Sequence, residues 1–245
     1  MDWLSLMGIP RTGPRGALTI IVAALAVCTV AGVDTASHGN RTPPAPQHGT
    51  LSVTIRSGAA ARPPLRVTVD ASICGATVPD ESVVIAGGRV ANAVVSLPGL
   101  PGTHAATLEI ENDKCRFAPH VALAAPGATM KMVSRDPTLH TVHAHQAGRS
   151  LFNVGLPIPG LTISRPAPAS GVVALKCNTH PWMSGYVVVT SARAAVSHAD
   201  GTARFDHVPA GMHAIAVWHE ALGAGSAEVA VAAGAHAAVE ITLAK

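Results

Sequence analysis

Beyond residue 50 the chain is broken into many short apolar runs, each bounded by Gly, Pro, Asn or Asp. These runs are LSVTIR, LRVTV, SVVIA, VANAVVSL, ATLEIE, HVALAA and ATMKMVS. No stretch after residue 50 has a long 3.6-residue periodicity with helix caps. Closely spaced runs of strand length are typical of sandwiches and barrels. The sequence therefore predicts an all-β protein.

Composition limits the kinds of partner. The 245 residues are 48% hydrophobic, which is enough for one large core or two smaller ones. Charged residues make up 13% of the chain and the formal net charge is +3. The 17 basic residues form no dense cluster. We therefore expect no nucleic-acid partner.

The N-terminus has the pattern of an export segment. Arg11 and Arg15 precede an uncharged apolar stretch at 16–33. That stretch is long for a signal peptide and slightly shorter than the about 20 residues of a spanning helix. Residues 1–36 are thus predicted to be a signal peptide or an uncleaved membrane anchor. The rest of the protein is then periplasmic or otherwise extracytoplasmic, with membrane contact only through that anchor.

Two further breaks divide the remainder. Residues 37–49 include HGNRTPPAPQHG, a Pro-rich linker. A second break falls near 190–193, after which turn signals at 198–201 and 208–211 separate strand-like runs. We predict a sandwich over 50–190 and a small one over 192–245. The second is close to the lower size for independent folding, so packing against the first would stabilise it.

The cysteines are odd in number outside the N-terminal segment. Cys28 lies in the predicted signal or anchor, which leaves Cys74, Cys115 and Cys177 in an oxidising compartment. Cys74 and Cys115 lie in polar, turn-like surroundings, so we expect them to form a disulfide. A bridge from either one to Cys177 remains open.

The loop CNTHPWM, between two apolar runs, carries Cys177, His180 and Met183 three residues apart. Thiolate, imidazole and thioether groups are ligands that copper prefers. Zinc also binds Cys and His, but its sites seldom use Met. The alternative is a buried, inert thiol beside a Met that fills the core. The odd cysteine count favours ligation.

A fourth ligand is expected from DPTLHTVHAH, which contains His140, His143 and His145. In an extended strand, His143 and His145 share one face and His140 lies on the other. This parity separates the candidates without choosing between them. His120 is a further alternative.

These two segments together resemble the cupredoxins, or blue copper proteins, and most closely their amicyanin and plastocyanin branch. The resemblance covers 105–190 well and 50–104 loosely. It implies a cupredoxin-like Greek-key β-sandwich with one mononuclear, type 1-like copper. The ligands would be His140, Cys177 and His180, with Met183 as a weak axial contact. Thr141 departs from the family, which usually has an Asn there that ties the two ligand loops together.

The tail resembles a second family. DGTARF, VPAG and the WH of AIAVWHE are similar to the pattern of carboxypeptidase-regulatory-like domains, which are small transthyretin-like β-sandwiches. Larger exported cupredoxin-like proteins, some described as methylamine-utilisation-like, combine the two modules. The resemblance implies the same order in this chain.

The function expected from these features is single-electron transfer, in a redox carrier and not an enzyme. Its partner would be a redox protein. One alternative is a non-redox copper carrier or storage protein that exchanges Cu(I) with a donor or acceptor, which the three clustered histidines motivate. Another is a docking module with a vestigial copper site. Trp182, between the ligands, is expected either to line an apolar docking rim or to pack beneath the loop.

Overall fold

A computed structural model describes residues 47–244, so the predicted signal or anchor and residues 37–46 of the linker lie outside it. The described chain is almost entirely β-structure, with one four-residue helix, α1 (Ala71–Cys74). No helix in this part of the chain has the length and hydropathy needed to cross a membrane. The strands are β1 (His48–Arg56), β2 (Leu65–Arg66), β3 (Thr77–Val78), β4 (Ile85–Ala86), β5 (Arg89–Val90), β6 (Val94–Pro101), β7 (Thr107–Asp113), β8 (Arg116–Ala118), β9 (Val121–Ala124), β10 (Thr129–Ser134), β11 (His140–Gln146), β12 (Arg149–Leu156), β13 (Thr162–Pro166), β14 (Gly171–Lys176), β15 (Ser184–Val189), β16 (Ala192–Val196), β17 (Thr202–Pro209), β18 (Gly211–His219), β19 (Gly223–Val231) and β20 (His236–Thr242).

The first sandwich contains the predicted ligand loop. One sheet has the strand order β13-β10-β7-β8 and the other β12-β11-β14-β15-β9. Alternating residues of each strand face the core between the sheets, as Met130 and Met132 of β10 illustrate with no exposed surface. The same core includes Ile110, Phe117 and Leu175. The prediction of an all-β chain built from sandwiches is confirmed.

The second sandwich combines strands from both ends of the described chain. One sheet has the order β17-β1-β5-β4, with β20 also paired to β1. The other has the order β16-β6-β18-β19. Leu51, Val53 and Ile55 of β1 pack into one core with Phe205 and Ile215 of the tail.

This packing differs from the division expected at residue 191. Strands β1 and β6 lie within 50–190 in sequence, yet both hydrogen-bond to strands of the tail. A domain of about 50 residues is only marginally stable alone, because it buries a small fraction of its surface. Strand β1 adds a central strand to the tail, paired with both β17 and β20. The resemblance of the tail to a regulatory-like domain stays a prediction.

A small apolar junction joins the two sandwiches. Val94 of β6 packs with Val121 and Val188 of the first sandwich. The rings of Tyr186 and Trp218 meet there at a centroid distance of 5.3 Å. The ligand-bearing sandwich is therefore held against the second one through β15, the strand that leaves the ligand loop.

A buried ion pair crosses the same junction. His120 Nε2 contacts Glu220 Oε1, and the two side chains are only 4% and 8% exposed. His120 Nδ1 also lies 3.1 Å from the carbonyl oxygen of Ser184, at the start of β15. Burial opposes the charge of His120, but the hydrogen bond and charge of Glu220 outweigh it and raise the pKa of His120.

We expect this pair to make stability depend on pH. An unfolded histidine has a pKa of about 6.5, so a raised folded pKa gives stabilisation that is complete below pH 6.5 and is lost as pH rises through the folded value. Replacing Glu220 by Gln leaves His120 buried without its counter-charge. The substitution should lower the free energy of unfolding by about 3 kcal/mol at pH 6, and by less at pH 8, in urea denaturation.

The matched control is Glu109→Gln, which breaks an ion pair with Lys131 whose side chains are about 40% exposed. An exposed pair of this kind should contribute little to stability, with little dependence on pH in this range. A Glu220→Gln effect equal at pH 6 and pH 8 would contradict the assignment.

Candidate metal centre

The loop CNTHPWM connects the hairpin strands β14 and β15 at one end of the first sandwich. Strand β14 ends at Lys176 and β15 begins at Ser184. The N–H of Cys177 donates to the carbonyl of Met183 over 3.3 Å, and the N–H of Met183 donates to the carbonyl of His180 over 3.0 Å. These bonds fix the relative positions of the three predicted ligands on the loop.

Strand pairing brings His140 to this loop. His140 is the first residue of β11, which pairs with β14 directly before Cys177. One potential ligand atom from each of His140, Cys177 and His180 lies within 4.8 Å of the other two. The two histidines have no exposed surface and Cys177 is 5% exposed. The structure thus brings together three of the four predicted ligands in a buried cluster.

His143 and His145 lie on the opposite face of β11, as strand parity predicts. His143 Nδ1 is 3.2 Å from Asn178 Oδ1, and His143 Nε2 is 3.0 Å from Ser150 Oγ. The rings of His143 and His145 contact each other with centroids 3.9 Å apart. Neither joins the cluster with Cys177, so His140 is the histidine of this segment that faces the loop.

Each buried imidazole has a carboxylate at its Nε2. His140 Nε2 is 2.9 Å from Asp136 Oδ2, and His180 Nε2 is 3.1 Å from Asp70 Oδ2. The Nδ1 of His180 lies 3.6 Å from Cys177 Sγ. The Nδ1 of His140 is buried and has no hydrogen-bond partner. With the proton of each ring on Nε2 and donated to its carboxylate, both Nδ1 atoms are available to a metal.

The two carboxylates are themselves held in place. Asp136 accepts the backbone N–H groups of Lys114 and Cys115, both over 2.8 Å. Asp70 accepts the hydroxyl of Thr138 over 2.6 Å. This bond, followed by the one from His180, lowers the pKa of Asp70. Asp70 and Asp136 were missed by the sequence analysis, although Asp136 precedes His140 by one short turn.

The predicted disulfide between Cys74 and Cys115 is confirmed, with Cα atoms 5.4 Å apart. It leaves Cys177 as the free thiol among the described residues. The two disulfide sulfurs lie within 4.8 Å of a ring nitrogen of His180. The disulfide thus anchors α1 and the segment carrying Asp70 beside the His140–Cys177–His180 cluster.

The surroundings of Cys177 favour the deprotonated form of its thiol. Burial raises its pKa, but the proximity of the His140 ring, the N–H and hydroxyl of Thr141, and the backbone of His180 lower it to about 6. A large thiolate fraction is therefore present at neutral pH, and the thiolate is the form that binds metals.

Thr141 ties the two ligand segments together, although Asn is usual in the resembled family. Its N–H donates to Cys177 Sγ over 3.4 Å. Its hydroxyl accepts the N–H of Asn178 over 2.7 Å and lies 3.7 Å from the same sulfur. Thr141 thus contacts both the Cys177 sulfur and the backbone of Asn178, and these contacts hold the loop against β11.

Two other residues of the loop pack inward. Met183 is 3% exposed and belongs to the core of the first sandwich; its role as an axial ligand stays a prediction. Trp182 is half-buried against the same core, and its Nε1–H donates to the carbonyl of Cys115 over 3.1 Å. The centroids of the Trp182 and His180 rings are 5.1 Å apart. His120, the remaining histidine alternative, pairs with Glu220 outside this cluster.

Comparisons with known proteins give partial structural likenesses. No family model matches the chain, and no curated protein matches it. A purple cupredoxin from Nitrosopumilus maritimus is 23% identical, with 34% of this chain and 98% of that one covered and a TM-score of 0.30. A reduced amicyanin mutant is 20% identical over 39% of this chain and 98% of its own, with a TM-score of 0.32.

A copper-containing nitrite reductase from Thermus scotoductus is 18% identical over 44% of this chain, with a TM-score of 0.31. This chain matches only 25% of that protein's length. With such TM-scores and identities, none of these likenesses carries an argument about function. What the cluster can do chemically follows from its own side chains.

The bracing role of Thr141 can be tested with Thr141→Val, which keeps the side-chain shape and removes the hydroxyl. The backbone N–H of Asn178 loses the Thr141 hydroxyl as its acceptor, so its hydrogen exchange should become faster. The free energy of unfolding should fall by about 1 kcal/mol. The control is Thr162→Val, because Thr162 is exposed and its hydroxyl makes a single 3.4 Å contact with Gly160. Unchanged exchange at Asn178 would show that the hydroxyl does not brace the loop.

Proposed function

We propose that this protein is a cupredoxin-like electron carrier that holds one copper ion at the buried cluster of His140, Cys177 and His180. The observation that carries the proposal is the buried convergence of a ring nitrogen from His140 and one from His180 with the Cys177 sulfur, all within 4.8 Å of one another. The donor set fits copper better than a hard cation, because it consists of sulfur and nitrogen. The buried, unpartnered Nδ1 of His140 is the kind of polar atom that a bound metal would satisfy.

The surrounding residues support redox work more than simple storage. A copper ion held here would supply one-electron chemistry, accepting an electron from a reduced partner as Cu(II) and passing it on as Cu(I). The protein's part is to keep its ligands still during that exchange. Backbone bonds within the loop, the Thr141 bridge and the two carboxylates restrain all three ligand side chains. Met183 would add a weak axial thioether contact.

We propose a redox protein as the partner, docked near Asp70. Three large apolar side chains that are 40–44% exposed lie beside the site in sequence: Val69, Ile73 and Leu139. The Thr138–Asp70 hydrogen bond brings the segments of Val69 and Leu139 together. Apolar surface of this kind is suited to brief protein contacts.

The test is a visible absorption and EPR titration of the purified protein with Cu(II). We expect an intense thiolate-to-copper band at one equivalent that bleaches and returns through cycles of reduction and oxidation. Cys177→Ser should abolish the band, because the thiolate is its origin. Lack of an intense band in the wild-type protein would refute the proposal.

The matched control is the double substitution His143→Asn and His145→Asn. These histidines are close to the site in sequence but lie on the other face of β11, so the band should persist. A Cu(II) EPR signal that survives Cys177→Ser and disappears in this control would place copper on the surface histidines instead. A Cu(I) form that binds tightly but cannot be oxidised reversibly would indicate a non-redox carrier.

A further inference from the structure

Asp70 occupies the outer edge of a histidine that has no exposed surface. Its Oδ2 is 3.1 Å from His180 Nε2, across a sequence separation of 110 residues. The carboxylate does not come from either ligand segment. It comes from the residues between β2 and β3, which lie over the end of the first sandwich that carries the ligand loop.

Several independent restraints hold Asp70 in this position. Its carbonyl accepts the N–H groups of Ile73 and Cys74, both over 2.9 Å, at the start of α1. Its φ of 51° is in the left-handed region, which Asp and Asn tolerate better than most residues. Thr138 donates to the same oxygen that meets His180. The helix ends at Cys74, which is bonded to Cys115.

We infer that Asp70 is a positioning residue for His180: it fixes the Nε2–H tautomer, directs Nδ1 to the metal, and strengthens binding of Cu(II) relative to Cu(I). This inference rests on the proposed copper site. A carboxylate that accepts the second N–H of a ligating imidazole orients the ring and makes it a stronger donor. Its negative charge also favours the more highly charged metal ion, so it lowers the reduction potential.

Asp136 makes the equivalent contact with His140 but also accepts the N–H groups of Lys114 and Cys115. Replacing Asp136 would therefore disturb the turn at Lys114 and Cys115 as well as the position of His140. Asp70 offers a cleaner test, because Asn keeps the shape and the left-handed preference while removing the charge.

The first measurement needs no metal. In the metal-free protein at pH 8, nitrogen-detected NMR should show His180 as a single Nε2–H tautomer, and Asp70→Asn should give a mixture of tautomers. In the copper-loaded protein, Asp70→Asn should reduce Cu(II) affinity by about 10- to 100-fold, measured by chelator competition. The reduction potential should rise.

Asp206→Asn is the matched control, because Asp206 is an exposed residue of β17 in the second sandwich and its loss changes net charge equally. It should leave the tautomer, the affinity and the potential unchanged. Thr138→Val, which removes the hydroxyl that holds Asp70, should give a smaller shift in the same directions. It keeps the test available if Asp70→Asn folds poorly.

Two failures can be told apart. If the wild-type protein shows the thiolate-to-copper band but Asp70→Asn and Thr138→Val keep wild-type tautomer, affinity and potential, the inference is overturned and the proposed function stands. If the wild-type protein gives no such band, the proposed function fails and the inference falls with it.

Discussion

The candidate metal centre depends on the contacts between two carboxylates and two buried imidazoles. Asp136 and Asp70 each lie within hydrogen-bond distance of Nε2 of a fully buried histidine, an arrangement that leaves the Nδ1 atoms for the proposed metal. Both carboxylates depend on the same covalent link, since Asp136 accepts the N–H of Cys115 and Asp70 begins the helix that ends at Cys74. The disulfide thus joins the restraints on the two histidines into one unit.

The second sandwich contributes to the candidate site by packing against β15, the strand that follows the ligand loop. Strand β15 leaves the ligand loop and enters the junction where Tyr186 meets Trp218. The His120–Glu220 pair reaches the same strand through the carbonyl of Ser184. The residue after Met183 is therefore tied, through His120, to the second sandwich, which restrains the end of the loop.

Much of the candidate site could be predicted from the sequence, because most of its residues lie close together in one loop and one strand. The spacing of Cys177, His180 and Met183 and the parity of His140 against His143 depend only on one loop and one strand. Asp70 could not be predicted, because its contact with His180 spans 110 residues and depends on the folded path of the α1 segment. The pairing of β1 with β17 and β20 was missed for the same reason: strand partners distant in sequence leave no periodic signal.

The most direct test of the proposed copper site is a crystal structure of the copper-loaded protein. We expect one copper ion bonded to Nδ1 of His140, Nδ1 of His180 and Sγ of Cys177, with both Nε2 atoms still hydrogen-bonded to Asp136 and Asp70. Copper bonded through Nε2 of either histidine, or found instead on the opposite face of β11, would contradict it.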